Sequence, residues 1–148
     1  VLVMRHPLDV ILSNFMQNYE LNDAMSNFLT CEDTVFAYVQ MMELWRKCVR
    51  VLPMNFHIVK YENLVAEFDS EVGRLLEFLD IEWDDSVTRY NKHALKRGAI
   101  NTPSYQSVCE PIYQRAKFRW KRYEKELAPF LKDLKPYIDE FNYSDTMS

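Results

Sequence analysis

Val1-Leu2-Val3-Met4-Arg5-His6-Pro7-Leu8-Asp9-Val10-Ile11-Leu12-Ser13 is the stretch on which the reading of this chain turns. An unbroken apolar run, then Pro, then apolar residues at helical spacing predict a buried parallel strand that turns into a helix. Pro7 holds His6 extended, and Asp9 reads as the N-cap of the helix, which is expected to run to about Tyr19 with Val10, Ile11, Phe15 and Met16 available to the core. Arg5 therefore falls at the carboxyl end of the strand, the end at which open α/β sheets bind their ligands. Ser13 lies about one turn into the helix, and helical side chains lean toward the N-terminus, so its hydroxyl points back toward Arg5. An Arg fork with a hydroxyl donor beside it suits one phosphate. The same residues also fit an ordinary strand, turn and helix with a surface Arg.

Downstream, Val35, Tyr38, Val39, Met42, Trp45, Val49 and Leu52 recur at three and four residues and predict a long amphipathic helix from Asp33 to Leu52, closed by Pro53. Between the two helices, Glu20 to Thr30 is polar and without period, a loop with room for a short helix. Asn55 to Tyr61 reads as a second strand, entered after a helix long enough for a crossover from the first. Tyr61 then ends its strand as Arg5 ends the first, and two such ends in adjacent parallel strands face one crevice. Its ring suits an adenosine, and a buried structural Tyr is the other reading. Ser70 reads as the cap of a helix carrying Val72, Leu75, Leu76 and Leu79, with a short helix from Asp85 to Tyr90. Lys92 to Tyr113 has little periodicity. The closing helices carry Leu127, Phe130, Leu131, Leu134, Tyr137, Ile138 and Phe141, with interruptions expected at Pro129 and Pro136.

The 148 residues suffice for one domain with a core, and 48% hydrophobic residues exclude disorder. No apolar run approaches a membrane span, and no signal-peptide pattern opens the chain. The net charge of −4 argues against a nucleic-acid binder as a whole. Lys92 to Arg122, however, holds eight basic residues and a single acid, Glu110, a positive patch on an acidic protein that reads as a site for a small anion or as a solvated face. Cys31, Cys48 and Cys109 are widely spaced, as for structural thiols in a reducing compartment, and His6, His57 and His93 lack ligand spacing, so no metal is expected. Only Gly73 and Gly98 are present, too few for a phosphate-cradling loop.

Arg5-x-Pro7-x-Asp9-x-x-x-Ser13 after an apolar strand resembles the segment with which sulfotransferases grip the 3′-phosphate of 3′-phosphoadenosine 5′-phosphosulfate (PAPS). Val59-Lys60-Tyr61-Glu62-Asn63-Leu64 resembles the family's Tyr-Glu-(Asp/Asn)-Leu turn, whose Tyr contacts the nucleotide. Phe78-Leu79-Asp80 stands where the family has Phe-Leu-Gly; Asp also tolerates unusual backbone angles, so the change alters only the cap. Thr102-Pro103-Ser104 through Val108-Cys109-Glu110-Pro111-Ile112-Tyr113 is similar to the block that wraps the nucleotide in bacterial sulfotransferases following tetratricopeptide repeats and in tyrosylprotein sulfotransferases. There Ser104 takes the place of the family's phosphate-side Ser, and Ser107 stands where relatives commonly carry Gln. Arg119-Trp120-Lys121-Arg122-Tyr123-Glu124 resembles the family's Arg-Trp-x-x-Tyr-Glu helix, with Arg119 expected to reach the cofactor phosphate and Arg115 and Lys117 as rivals.

The resemblance implies an α/β fold of P-loop NTPase-like type, a parallel sheet flanked by helices, with residues 1–148 forming the C-terminal portion of a single sulfotransferase domain whose N-terminal part is missing. It implies a cytoplasmic enzyme that transfers a sulfuryl group from PAPS to a hydroxyl or amine acceptor, without metal, nucleic acid or membrane span. Arg5, Ser13, Tyr61, Ser104, Ser107 and Arg119 are the implied cofactor-binding residues. The 5′-phosphosulfate loop and catalytic base are expected upstream of Val1, which leaves this fragment inactive alone. A P-loop nucleotide kinase-like enzyme and a non-catalytic, truncated nucleotide-binding or interaction module are the alternatives.

Overall fold

The computed structural model describes residues 1–89 and 115–147. The chain forms two compact units interleaved in sequence, Val1–Met4 with His57–Ala116, and Arg5–Phe56 with Lys117–Ser148.

In the first unit, strand β1 (Leu2–Met4) pairs in parallel with β2 (Ile58–Lys60), setting Leu2 against Ile58, Val3 against Val59 and Met4 against Lys60. The ladder continues at its start, where the Leu2 N–H donates to the His57 carbonyl at 2.8 Å. This is the mixed helix and strand architecture, with a parallel pair, that the two apolar runs lead one to expect. Both strands are shorter than the runs, however, and β1 is covered less than a fully buried strand would be. Met4 and Val59 are buried, whereas Val1 and Val3 are exposed, because among the described residues the sheet has two strands and one side of β1 stays open.

Tyr61 follows β2 directly and begins helix α3 (Tyr61–Ala66), so the expected turn is a short helix capped by Lys60. Helix α4 (Phe68–Phe78) packs on α3 and begins two residues before Ser70, which is therefore not its cap; the Ser70 hydroxyl instead accepts from Arg74 at 2.9 Å. At the end of α4 the Ile81 N–H reaches the Leu76 carbonyl and the Asp80 N–H reaches that of Glu77, with Asp80 at φ 55°. That is a Schellman closure, with Asp in the left-handed position usually given to Gly, as the sequence leads one to expect. The helix read over Asp85 to Tyr90 is a single 3₁₀ turn, Val87–Arg89, within the described residues.

In the second unit, α1 (Pro7–Phe15), α2 (Cys31–Val51) and a C-terminal run of helical pieces enclose one core. The run comprises a 3₁₀ segment Arg119–Tyr123, α5 (Glu124–Leu127), a second 3₁₀ turn Ala128–Phe130 and α6 (Leu131–Glu140). Leu8, Ile11 and Leu12 of α1 meet Val35, Tyr38 and Met42 of α2 and Leu134, Tyr137 and Ile138 of α6 in the buried interior. Thr30 caps α2, accepting from the Asp33 N–H at 3.0 Å while its own hydroxyl donates to the Asp33 carboxylate at 2.8 Å.

Three expectations fail here for local reasons. α1 ends at Phe15 rather than near Tyr19. Asn14 turns its amide back to the Val10 carbonyl at 2.9 Å and accepts the Tyr19 hydroxyl at 2.6 Å, offering the chain an alternative to further helix. Phe15 and Met16 consequently stay exposed instead of joining the core. Pro129 does mark a break, but α6 runs through Pro136, which lies on its exposed side. Glu20 to Thr30 is loop with one 3₁₀ turn, Met25–Phe28, as read.

Candidate functional site

The site begins where β1 gives way to α1. Pro7 occupies the first helical position, so the residue before it, His6, becomes the N-cap, and its Nδ1 accepts the Leu8 N–H at 3.2 Å. Asp9 is thus not the cap; it stands in the first turn of α1, 1% exposed. Its carboxylate is turned to a distant part of the chain, where Oδ1 accepts the backbone N–H of Trp120 at 2.8 Å, and Oδ2 lies 3.9 Å from the Arg5 guanidinium.

Trp120 is 1% exposed and stacks on His6, ring centroids 4.9 Å apart at 17°. Phe118 and Tyr143 present their rings to His6 at steep angles, 84° and 65°. Enclosure in this aromatic box is the main reason the His6 pKa is lowered to about 4, with the charges of Lys121 and Arg5 adding to it. His6 is therefore neutral near neutral pH, and its Nδ1 lone pair is committed to the helix cap.

Phe118 at φ 52° turns the chain into the 3₁₀ segment, so that Trp120 enters the core while Arg119, its neighbour, stays at the surface. The Arg119 Nη2 lies 2.7 Å from the Met16 sulfur, and no carboxylate among the described residues pairs with it. Asp9, Ser13 and Met16 follow one another at spacings of four and three, one stripe along α1 and its C-cap, and Arg5, which precedes the helix, lies against Asp9 at the start of it. Arg5 is held at one end of that stripe through Asp9, Arg119 reaches the other end through Met16, and Ser13 lies between them, half-buried and without a side-chain hydrogen bond to a described residue. Guanidinium groups and a hydroxyl are donor types that suit a phosphate.

Of the residues expected to bind cofactor, Arg5, Ser13 and Arg119 are thus brought to one side of α1 within the second unit. Tyr61 belongs to the first unit, half-buried at the carboxyl end of β2. Ser104 and Ser107 lie outside the described residues. The sequence reading missed the roles of Asp9 and Trp120, although the signal was present in an acid four residues after the Arg and four before the Ser. Among the described residues, no group of His, Cys, Asp or Glu is arranged to hold a metal ion, and no helix is long and apolar enough to cross a membrane. Cys31 and Cys48 are free thiols, half-buried, and burial together with Glu32 pushes the Cys31 thiol up, away from nucleophilic use.

Comparison with known proteins adds an independent line. A sequence profile described as the sulfotransferase family matches residues 1–85. A protein of Aquifex aeolicus (strain VF5), named only as an uncharacterized protein, is 29% identical over 134 residues, covering 88% of this chain and 17% of that protein. Protein-tyrosine sulfotransferase A of Caenorhabditis elegans is 31% identical over 104 residues, 69% of this chain and 26% of its own length. The chain thus spans only a minor part of the curated relatives it matches. No solved structure matches it significantly.

Proposed function

Because the chain belongs to the sulfotransferase family, we propose that it is the C-terminal portion of a P-loop-like domain that transfers a sulfuryl group from PAPS to a hydroxyl or amine acceptor. In this reading it carries the half of the donor site that holds the 3′-phosphate and nucleoside. The observation that carries the proposal is the set of donors placed along α1, Arg5 beside Asp9, then Ser13, then Arg119 beside Met16, with no carboxylate among the described residues paired with Arg119.

PAPS, when bound, supplies an activated sulfuryl group on its 5′-phosphate. Arg5 and Arg119 neutralise and fork the 3′-phosphate, and Ser13 donates a third hydrogen bond. Tyr61, Ser104 and Ser107 take the nucleotide-binding roles that the family pattern implies for them. These are binding and positioning roles, and positioning together with charge neutralisation is what transfer of such a group chiefly needs. His6 does not serve as the base, since its Nδ1 lone pair is engaged in the helix cap and the ring is fully buried.

The experiment is calorimetric titration of the folded chain with adenosine 3′,5′-bisphosphate and, separately, with ATP. Binding of the bisphosphate in preference to ATP supports the proposal, whereas a preference for ATP favours a kinase-like nucleotide site. Turnover of PAPS by this chain alone would contradict the assignment of the chemistry to residues outside it.

A further inference from the structure

Asp9 is a buried carboxylate that lies near the Arg5 cation and bonds the backbone of the residue next to Arg119. Its Oδ1 accepts the Trp120 N–H at 2.8 Å, and Trp120 is the residue next to Arg119; its Oδ2 stands 3.9 Å from Arg5. Asp9 and Trp120 are separated by more than a hundred residues of sequence, so this bond ties the Arg119 segment directly to α1. Trp120 also packs flat on His6, and Arg119 rests on the Met16 sulfur. Stacking tolerates sliding within the plane of the rings, whereas a short hydrogen bond from a backbone N–H to a fixed side chain does not.

We infer that Asp9 is a positioning residue, whose bond to the Trp120 N–H sets the distance between Arg119 and Arg5 so that both guanidinium groups meet one phosphate. The inference rests on the proposed 3′-phosphate site and deepens it. It also distinguishes two roles a carboxylate can play here. As a charge alone, Asp9 opposes an incoming phosphate, and removing it tightens anion binding. As a tether, removing it separates the two cations and weakens binding.

The test compares affinity for adenosine 3′,5′-bisphosphate with affinity for adenosine 5′-monophosphate, so that the ratio reports the 3′-phosphate alone. In Asp9→Ala the ratio is expected to fall about tenfold, the size of one lost charge-assisted phosphate contact, and to fall by a similar factor in Arg119→Ala. In the double variant it falls no further than in Arg119→Ala, because Asp9 acts through Arg119. Asp9→Asn keeps an oxygen that accepts the Trp120 N–H, and its ratio stays within about threefold of the unaltered chain. Binding of the monophosphate stays unchanged throughout, which a general loss of structure would not allow.

A ratio unchanged or raised in Asp9→Ala, or additive losses in the double variant, overturns the inference while leaving the phosphate site standing. Should Asp9→Ala fail to fold, Asp9→Asn decides: since Asn keeps an oxygen for the Trp120 N–H, a ratio as low as that of Arg119→Ala, or one raised more than about threefold, overturns it. Absence of any 3′ preference in the unaltered chain overturns the functional reading and this inference together.

Discussion

At the start of α1 the chain secures its C-terminal segment with buried, neutral or fully enclosed groups, whereas between α2 and α6 it secures the same segment with half-exposed charges. In the first region His6, Asp9 and Trp120 are at most 1% exposed. In the second, Arg46 bonds Glu43 at 2.7 Å and also Glu140, its guanidinium lies 4.4 Å over the Tyr137 ring, and the Tyr137 hydroxyl donates to Glu43 at 2.9 Å. Those three charged side chains remain 34–44% exposed. Burial removes water as a competing partner, so each contact of the first region is hard to replace, while water and salt can stand in for most of the second. The candidate site is built on the region that cannot slip.

The sharpest way to break that contrast is Trp120→Ala, which empties the largest fully buried side chain and is expected to cost about 3 to 5 kcal/mol, read as a lowered urea midpoint. A loss below about 1 kcal/mol, the level expected of a surface substitution, would place Trp120 outside the stabilising core.

Acid should act on the first region as well. The folded state holds His6 at about 4 against an ordinary value of 6.5, so the unfolded chain binds the proton first as pH falls. The stabilisation from a neutral His6 is complete above pH 6.5 and is lost as pH drops toward 4, by up to about 3 kcal/mol from this group. Lys121 and Arg5, the charges nearest the ring, disfavour its protonation further. His6→Asn keeps a capping oxygen and does not titrate, so the difference between it and the unaltered chain should shrink from pH 7 to pH 4. A constant difference would mean that His6 does not titrate in this way.

The second region should respond weakly. Arg46→Ala is expected to cost about 1 kcal/mol in low salt and less in high salt, since its ion pairs are exposed and its ring contact is worth a similar small amount. A loss that ignores salt would make Arg46 a packing residue instead. Burial and its bond to Glu43 push the Tyr137 phenol up to about 12, and the same bond holds the Glu43 carboxyl below its usual range, so neither titrates near neutral pH. Smallest of all is Tyr38→Phe. The Tyr38 hydroxyl is buried without a hydrogen-bond partner among the described residues, and its removal should change stability by less than about 0.5 kcal/mol or raise it slightly.

What could be read from the sequence follows this division. Periodicity located α2 to within two residues, and the two apolar runs gave a parallel strand pair, because these elements are dictated by local pattern and one burial direction. The left-handed Asp80 at the end of α4 was also legible, since the family position calls for that backbone and Asp can adopt it. Long-range partners were not. Asp after X-Pro is a good cap by local rules, but Pro7 moved the helix start forward, and the freed carboxylate found Trp120 far along the chain. No window of neighbouring residues contains that bond. Ser70 failed for a related reason: Tyr61–Ala66 is already helical, so α4 starts at the Glu67 junction and needs no hydroxyl cap. Arg5, Ser13 and Arg119 were named from their resemblance to a family, and the stripe along α1 is what turns three separate residues into one proposed site.

The most direct measurement is calorimetric titration with adenosine 3′,5′-bisphosphate and adenosine 2′,5′-bisphosphate, on the unaltered chain and on Arg5→Ala, after circular dichroism shows both to be folded. A phosphate site formed by Arg5, Ser13 and Arg119 requires tighter binding of the 3′ isomer and loss of that preference in Arg5→Ala. Equal affinity for the two isomers, or a preference that survives without Arg5, would contradict it.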